Sequence, residues 1–297
     1  MTVATGNFAE LLWPGIADLW GKDYNDYSPL YTQVAEIANS DKAFEKYQGV
    51  TGLPLASIKS QGNTIPYVDP YQGLQKEFVH TTYAIGSSVT REMFEDDQYN
   101  YINKIPGMLS RSMRQTEETT LFNNLNRAFN TSFTGADGLS LCNASHTLVG
   151  GGTYRNQLAT ASDLTQTSLE TALQDIMDFV DDQSLKIRVM PRTLVVPTSI
   201  SIRARKILES AGVTGSADND KNVIQGALKI VVSPYLTDTD AWFVVTDVPH
   251  GLMFVWRRKP DLERDNDFNT KNLLFSSTGR WDTGWVDPRG IFGTAGA

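Results

Sequence analysis

Two residues four positions apart, Cys142 and His146, are the chain's best material for covalent chemistry. The segment Leu141-Cys-Asn-Ala-Ser-His-Thr-Leu148 places a thiol and an imidazole in one tight loop. A thiolate needs a base within hydrogen-bond reach, and the chemistry on offer would be hydrolysis or acyl transfer. Cys/His pairs in thiol enzymes are usually remote in sequence and carry an orienting third group and an oxyanion donor. Neither accompanies this pair, so a structural role for both residues outweighs a catalytic one, and two ligands are too few for a zinc site. Carboxylates offer a second chemistry, since Asp261, Glu263, Asp265 and Asp267 alternate and Glu95-Asp96-Asp97 form a run that could hold a divalent cation. The alternating set lacks the glycine and distal glutamate of a calcium loop and is interrupted by Arg264, so a solvated loop is the better reading, as it is for Asp181-Asp182. Gly150-Gly-Gly-Thr153 is followed by no Gly-Lys-Ser/Thr and preceded by no strand, which makes it a flexible connection and not a phosphate loop. No catalytic, cofactor-binding or metal-binding residue is assigned, and no cofactor is expected.

Composition narrows the classes further. The 297 residues, 40% of them hydrophobic, can bury a substantial core. Lys and Arg number 26 against 34 Asp and Glu, a net charge of −8, the wrong sign for a nucleic-acid groove or an anionic membrane. One cysteine excludes an intramolecular disulfide, and three histidines, His80, His146 and His250, leave little for histidine chemistry. No apolar run approaches the roughly 20 residues of a membrane span. The opening MTVATGNFAELLWPG lacks the order of a secretory signal, so a soluble, unexported chain is expected.

The elements that must position these residues follow from periodicity. Residues 1–50 carry a local charge of −4, and Phe8, Leu11, Leu12, Trp13, Ile16, Leu19 and Trp20 recur at helical spacing around Pro14, which predicts an acidic arm with a bent amphipathic helix. That arm packs either on the chain's own core or on a neighbouring subunit. Ile65, Tyr67 and Val68 before Asp69-Pro70-Tyr71-Gln72-Gly73, and residues 78–85 after it, predict a β-hairpin. Its second arm alternates Phe78, His80 and Thr82 against Val79, Thr81 and Tyr83, and neither face is strongly apolar, so the hairpin should project. Thr90 caps a helix start. From Tyr101 to Phe129 apolar residues keep to spacings of three, four and seven, which predicts a helix of about 30 residues and about 45 Å. Pro106 lies near its front, and Arg111, Arg114, Gln115, Glu117 and Glu118 form a polar belt. Residues 133–162 read as loop. A compact α/β lobe follows: a Thr167-Ser-Leu-Glu170 capping box opening a helix, strands at 192–197, 227–234, 241–246 and 251–256, and a helix at 198–210 closed by Gly212. The alternating tail, 273–294, should return to an earlier sheet.

This order of parts resembles the major capsid protein of tailed bacteriophages, the Hong Kong 97 fold. Three segments are similar to Mu-like major head subunits: Val89-Thr-Arg-Glu-Met-Phe-Glu-Asp-Asp97, Thr193-Leu-Val-Val-Pro197 leading into a helix, and Gly226-Ala-Leu-Lys-Ile-Val-Val-Ser-Pro-Tyr-Leu236. The resemblance implies an α+β fold divided into an N-arm (1–50), an extended loop (51–87), a peripheral domain with a spine helix (88–162), an axial α/β domain (163–257) and C-terminal strands returning to the peripheral domain (258–297). It also implies a shell protein without catalysis, whose pentamers and hexamers tile an icosahedral capsid around double-stranded DNA. Portal, scaffold and decoration proteins would be its partners, no membrane is involved, and the virion, assembled in the bacterial cytoplasm, is its location. Trp13, Trp20, Tyr67, Tyr71, Phe78 and His80 are the candidate subunit-interface residues. Lys59 and Lys76 bracket the extended loop, but no motif fixes either as a cross-linking residue, so none is expected. The alternatives are an encapsulin-type shell around cargo enzyme and a hydrolase using Cys142 and His146.

Overall fold

The computed structural model describes residues 20–25, 28–70, 72–96, 102–212, 221–267 and 269–297. Residues 20–25 are helical. The strands and helices that follow are β1 (Glu36–Asn39), β2 (Phe44–Val50), β3 (Gln72–Val79), β4 (Thr81–Val89), α1 (Arg91–Glu95), α2 (Ile105–Asn126), β5 (His146–Thr147) and β6 (Thr153–Tyr154). After them come α3 (Gln166–Met177), β7 (Pro191–Pro197), α4 (Ser201–Glu209), β8 (Lys229–Ser233), β9 (Trp242–Thr246), β10 (Leu252–Asn266), β11 (Leu273–Trp285) and β12 (Ile291–Thr294). No helix among the described residues is long and apolar enough to cross a membrane.

Two four-stranded sheets organise these elements. In the first, ordered β1-β10-β11-β4, the tail strand β11 returns antiparallel to both β10 and β4, as its alternation predicts. Strand β10 runs on to Asn266, nine residues beyond the expected end of the axial domain at 257, and β4 crosses the boundary drawn at 87. The expected divisions at 87 and 257 therefore fall inside strands that the sheet pairing holds as single units. The second sheet, ordered β12-β9-β7-β8, builds the predicted α/β lobe from β7, β8 and β9 but adds β12, which pairs with β9 instead of returning to the peripheral domain with the rest of residues 258–297. Along β7 the side chains alternate: Leu194 and Val196 pack with Leu169, Ile176 and Ala204 of α3 and α4, whereas Val195 packs with Phe243 and Leu125 on the other side. Both faces of this sheet are covered, which is why β7, β8 and β9 each carry a run of three or four consecutive apolar residues.

Helix α2 has 22 residues and a length of about 33 Å, shorter than the pattern predicts. Pro106 occupies its first turn, where a missing N–H costs nothing, and Arg127 ends it by donating to the Asn123 carbonyl. Leu109, Met113, Leu121, Phe122 and Leu125 are buried along the face that crosses β11 and β4. The predicted polar belt does not face solvent as a whole: Arg111 and Gln115 are exposed, but Arg114, Glu117 and Glu118 are buried. Tyr24, Leu30 and Tyr31 lie across them.

Other local signals hold or shift slightly. Thr90 caps α1 by accepting from Met93 N, as expected, while the capping box of α3 is Thr165 with Ser168, two residues earlier than the predicted Thr167 and Glu170. Gly150–Gly152 form the ordered turn between β5 and β6, not a flexible connection. Gly150 N donates to the Asp182 carbonyl, and Gly151 and Gly152 take φ of 93° and 97°, which only glycine adopts without strain. Asp182 is not solvated either: it accepts from Arg289 at 2.8 Å, and Asp181 accepts from the backbone N–H of Gln183 and Leu185.

Candidate assembly surface

The projecting part of the chain is built differently from the predicted hairpin. The partner of β3 is β2, not residues 65–68, and the two strands run antiparallel from Phe44 opposite Val79 to Val50 opposite Gln72. The alternation of β2 sets Phe44, Lys46, Gln48 and Val50 on an exposed face and Glu45, Tyr47 and Gly49 on a half-buried one, so each face mixes charged with apolar residues and gives a weak strand signal. Between the two strands, residues 52–70 are exposed and form no strand or helix. Leu53, Leu55, Ile58, Ile65, Tyr67 and Val68 are all solvent-exposed, Ile58 to 98% and Tyr67 to 92%. Six large apolar side chains on one segment with nothing of their own to cover them form an unpartnered surface, and each gains about 1.5–3 kcal/mol on full burial.

The root of this ribbon is fixed to the body. Phe78 is fully buried with Met253, Val255 and Val286, and Tyr47 meets its ring edge-on at 5.6 Å. Val79 N donates to Asp282 Oδ2 at 3.1 Å, and Lys76 lies over the Trp285 ring. His80 sits at the break between β3 and β4. It is buried, and neither ring nitrogen has a hydrogen-bond partner among the described residues. Burial, then the Arg280 and Arg257 guanidinium groups, hold its pKa below the ordinary histidine value. Arg280 Nε donates to the His80 carbonyl, so the same side chain that pins the backbone also disfavours a cationic ring.

The candidate interface residues therefore divide. Tyr67 is on the exposed loop, and Trp20 is half-buried, stacked on Tyr24 at 5.1 Å. Phe78 and His80 are inside the chain's own body and offer no free surface to a neighbour, because residue 80 is where the chain passes from the ribbon into the sheet. Trp13 and Tyr71 lie outside the described residues. Leu53, Leu55, Ile58, Ile65 and Val68 join Tyr67 on the exposed segment. Their signal in the sequence is an apolar set scattered among Ser, Gly, Thr and Pro with neither helical nor strand spacing.

The residues singled out for chemistry are placed for structure. His146 turns Nδ1 to Asp137 Oδ2 at 2.5 Å and Nε2 to Asn156 Oδ1 at 3.0 Å, so neither nitrogen is left for the Cys142 thiol. The Asn156 amide donates to the carbonyls of Leu141, Pro288 and Ile291, which ties this loop to the start of β12. Cys142 is fully enclosed, and burial pushes its thiol pKa up, the reverse of what a nucleophile needs. Among the described residues no three acidic, histidine or cysteine side chains gather as a metal site. Asp261 accepts from Arg258 and Thr278, and Asp267 closes the β10–β11 turn through Asn269 N and Thr270.

Known proteins share this architecture. The capsid chain of a native GTA particle matches with a TM-score of 0.61 at 12% identity over 91% of both chains. The capsid of bacteriophage JBD30 decorated with minor capsid protein trimers gives 0.58 at 12% identity over 80% of this chain and 100% of that one. A virus-like particle from Pyrococcus furiosus gives 0.53 at 10% identity, covering 94% and 97%. No curated protein matches in sequence. Identities this low establish a common fold, an α+β arrangement shared with capsid chains. A model of the family described as phage capsid protein matches residues 74–293, from within β3 to within β12, and so takes in the spine helix and every strand of the two four-stranded sheets except β1. With three quarters of its length inside that match, the chain belongs to the phage capsid protein family.

Proposed function

We propose that this chain is the major subunit of a phage head, and that its copies assemble as pentamers and hexamers into an icosahedral shell around double-stranded DNA. The observation that carries the reading is the segment 52–70, whose six exposed apolar side chains find no cover in the chain that bears them. A shell subunit needs surface left over for its neighbours, and an extended segment can reach one where a compact lobe cannot. Membership of the phage capsid family supports the reading, and the acidic net charge suits a wall that must not adhere to packaged DNA. Portal, scaffold and decoration proteins are the further partners of such a subunit, and the virion, filled after assembly in the bacterial cytoplasm, is its place. Catalysis has no part in this function.

Electron microscopy of the purified full-length protein tests it. Uniform shells or ring-shaped capsomers are expected, and a protein that stays monomeric at all concentrations and in the presence of its co-expressed phage proteins overturns it. Particles boiled in denaturant should run as single chains on a gel, without a ladder of multimers, since Lys59 and Lys76 carry no cross-link. The second reading carried from the sequence is an encapsulin-type shell around cargo enzyme, with which likeness to a virus-like particle from Pyrococcus furiosus is equally compatible. Nuclease-protected DNA inside particles from infected cells decides for the first, and co-purified protein without DNA decides for the second.

A further inference from the structure

The least ordinary feature of the body is a pair of adjacent carboxylates buried on the spine helix. Glu117 and Glu118 are both 0% exposed, and they are met by Tyr24, Leu30 and Tyr31, some 90 residues earlier. Each fastens that segment by a different means. Glu117 accepts from the Tyr24 hydroxyl at 2.5 Å and from Arg114 Nη1 at 2.9 Å. Glu118 meets no cation and accepts instead from two backbone N–H groups, Leu30 at 2.6 Å and Tyr31 at 3.1 Å. Arg114 Nη2 donates to the Tyr24 carbonyl, and its guanidinium lies 3.8 Å from the Tyr24 ring centroid. At the far end Asp23 approaches Gly107, so closely that a side chain there would collide with its carboxylate. Tyr31 then anchors the segment on the sheet, its ring stacked on Phe254 at 4.7 Å.

The charges do not balance. Helix α2 brings Glu117, Glu118 and Arg114 to this contact, and the covering segment brings the neutral phenols of Tyr24 and Tyr31, while its Lys22 and Asp23 are exposed and lie on neither carboxyl group. One buried guanidinium serves two buried carboxyl groups, and it is committed to Glu117. Two adjacent carboxylates in a dry contact cannot both stay ionised cheaply, and the one without a cation is the one that takes a proton. We propose that residues 20–25 and 28–31 act as a strap whose closure on the spine helix takes up a proton at Glu118, so that the strap is fastened in mildly acidic solution and loosens as the pH rises to neutrality and above.

The direction of Glu118's own titration agrees. Burial is the largest influence and outweighs the two backbone N–H donors and Arg114, pushing the carboxyl up to about 7. Burial raises Glu117 as well, in the same sense, and keeps both phenols neutral. With the strap lifted, Glu118 meets water and returns to the usual glutamate range near 4.5. An acid whose pKa is raised in the closed state adds stability below its open-state value and loses that stability as pH climbs through about 7. Between pH 5.5 and pH 8 the closed-to-open ratio should fall roughly 10- to 100-fold. The inference concerns one chain and holds whether or not the chain forms a shell.

Hydrogen exchange of the full-length protein, followed by mass spectrometry at several pH values and corrected for intrinsic rates, reads the strap directly through the peptide carrying the amides of Leu30 and Tyr31. The expected result is protection that drops 10-fold or more from pH 5.5 to pH 8, while a peptide from β7 keeps its protection throughout. Glu118→Gln should flatten the pH dependence of the strap peptide, because the amide cannot titrate. Should that variant fold poorly, the wild-type series alone decides. Strap protection that is constant across the range, rises with pH, or falls in parallel with β7 overturns the proposal.

Discussion

The two ends of the ribbon β2–β3 could hardly be more different in what they leave to solvent. At its root, Phe78 is sealed among Met253, Val255 and Val286, and Tyr47 closes over it. At its tip, 19 consecutive residues from Gly52 to Pro70 are exposed, six large apolar ones among them. The root obeys the ordinary logic of a folding unit, in which apolar surface is buried within the chain. The tip violates it, and a segment that violates it without unfolding the rest stores its stabilisation for another molecule. The difference separates the residues that make the subunit fold from those that make it associate, and the boundary falls at Val50 and Gln72, the last paired residues of the ribbon.

That boundary can be broken at several points. The largest effect is expected on the body side, away from the ribbon altogether: Leu121→Asp places a charge at a fully buried position of α2 and should abolish soluble folded protein, seen as loss of the expressed chain to the pellet. Arg114→Ala leaves the Glu117 carboxylate buried without its cation and should cost about 3–5 kcal/mol in denaturant unfolding. Phe78→Ala should cost about 3–5 kcal/mol, in part by freeing the ribbon from the sheet, which proteolysis within residues 44–79 would reveal before global unfolding. A smaller effect is expected from His80. Its pKa is lowered in the folded chain, so the stability it contributes is present above the unfolded value near 6.5 and is lost as pH falls below it. Thermal midpoints measured from pH 7 to pH 5 should therefore fall less for His80→Leu than for the wild type. The smallest effect on folding belongs to the tip. Replacing residues 53–69 by a short Gly/Asn turn should leave the melting temperature within a few degrees while eliminating particles under the microscope. A variant that unfolds would show that the tip is part of the core after all, and one that still assembles would remove the basis for separating the two ends.

Much of the body was legible in the sequence because its signals are local. Thr90 stands three residues before the amide it caps, β7 ends in the apolar run Leu194–Pro197, and the spacing from Ile105 to Leu125 marks one face of a helix. The features that escaped are those whose partners are distant. Glu117 and Glu118 look like a solvated belt until the segment some 90 residues earlier is laid over them, and Asp182 looks solvated until Arg289 reaches it across 107 residues. The pairing of β2 with β3 was hidden for another reason. Tyr67 and Val68 carry better strand-forming side chains than Glu45 and Lys46, yet propensity yields to what a strand can pack against, and β2 has Phe78 within reach of Tyr47. His146 was found as a chemically notable residue, but spacing alone could not reveal that Asp137 and Asn156 take both its nitrogens.

The long hairpin β10–β11 carries a mechanical consequence. Its pairing is regular from Leu252 to Trp256 and again from Asp261 to Asn266, with register shifts only between Trp256 and Arg258 and between Arg258 and Asp261, where Pro260 interrupts the ladder. A lever of this kind is stiff on either side of one soft joint. Its inner arm is clamped between β1 and β11, beside the Phe78 pocket, and its outer arm reaches away toward the turn at 267–272. On the other side of β11 the ladder with β4 runs unbroken from Leu273 to Trp281, so a load applied at the outer turn would be carried by β11 and β4 while the β10 edge yields first at residues 257–260.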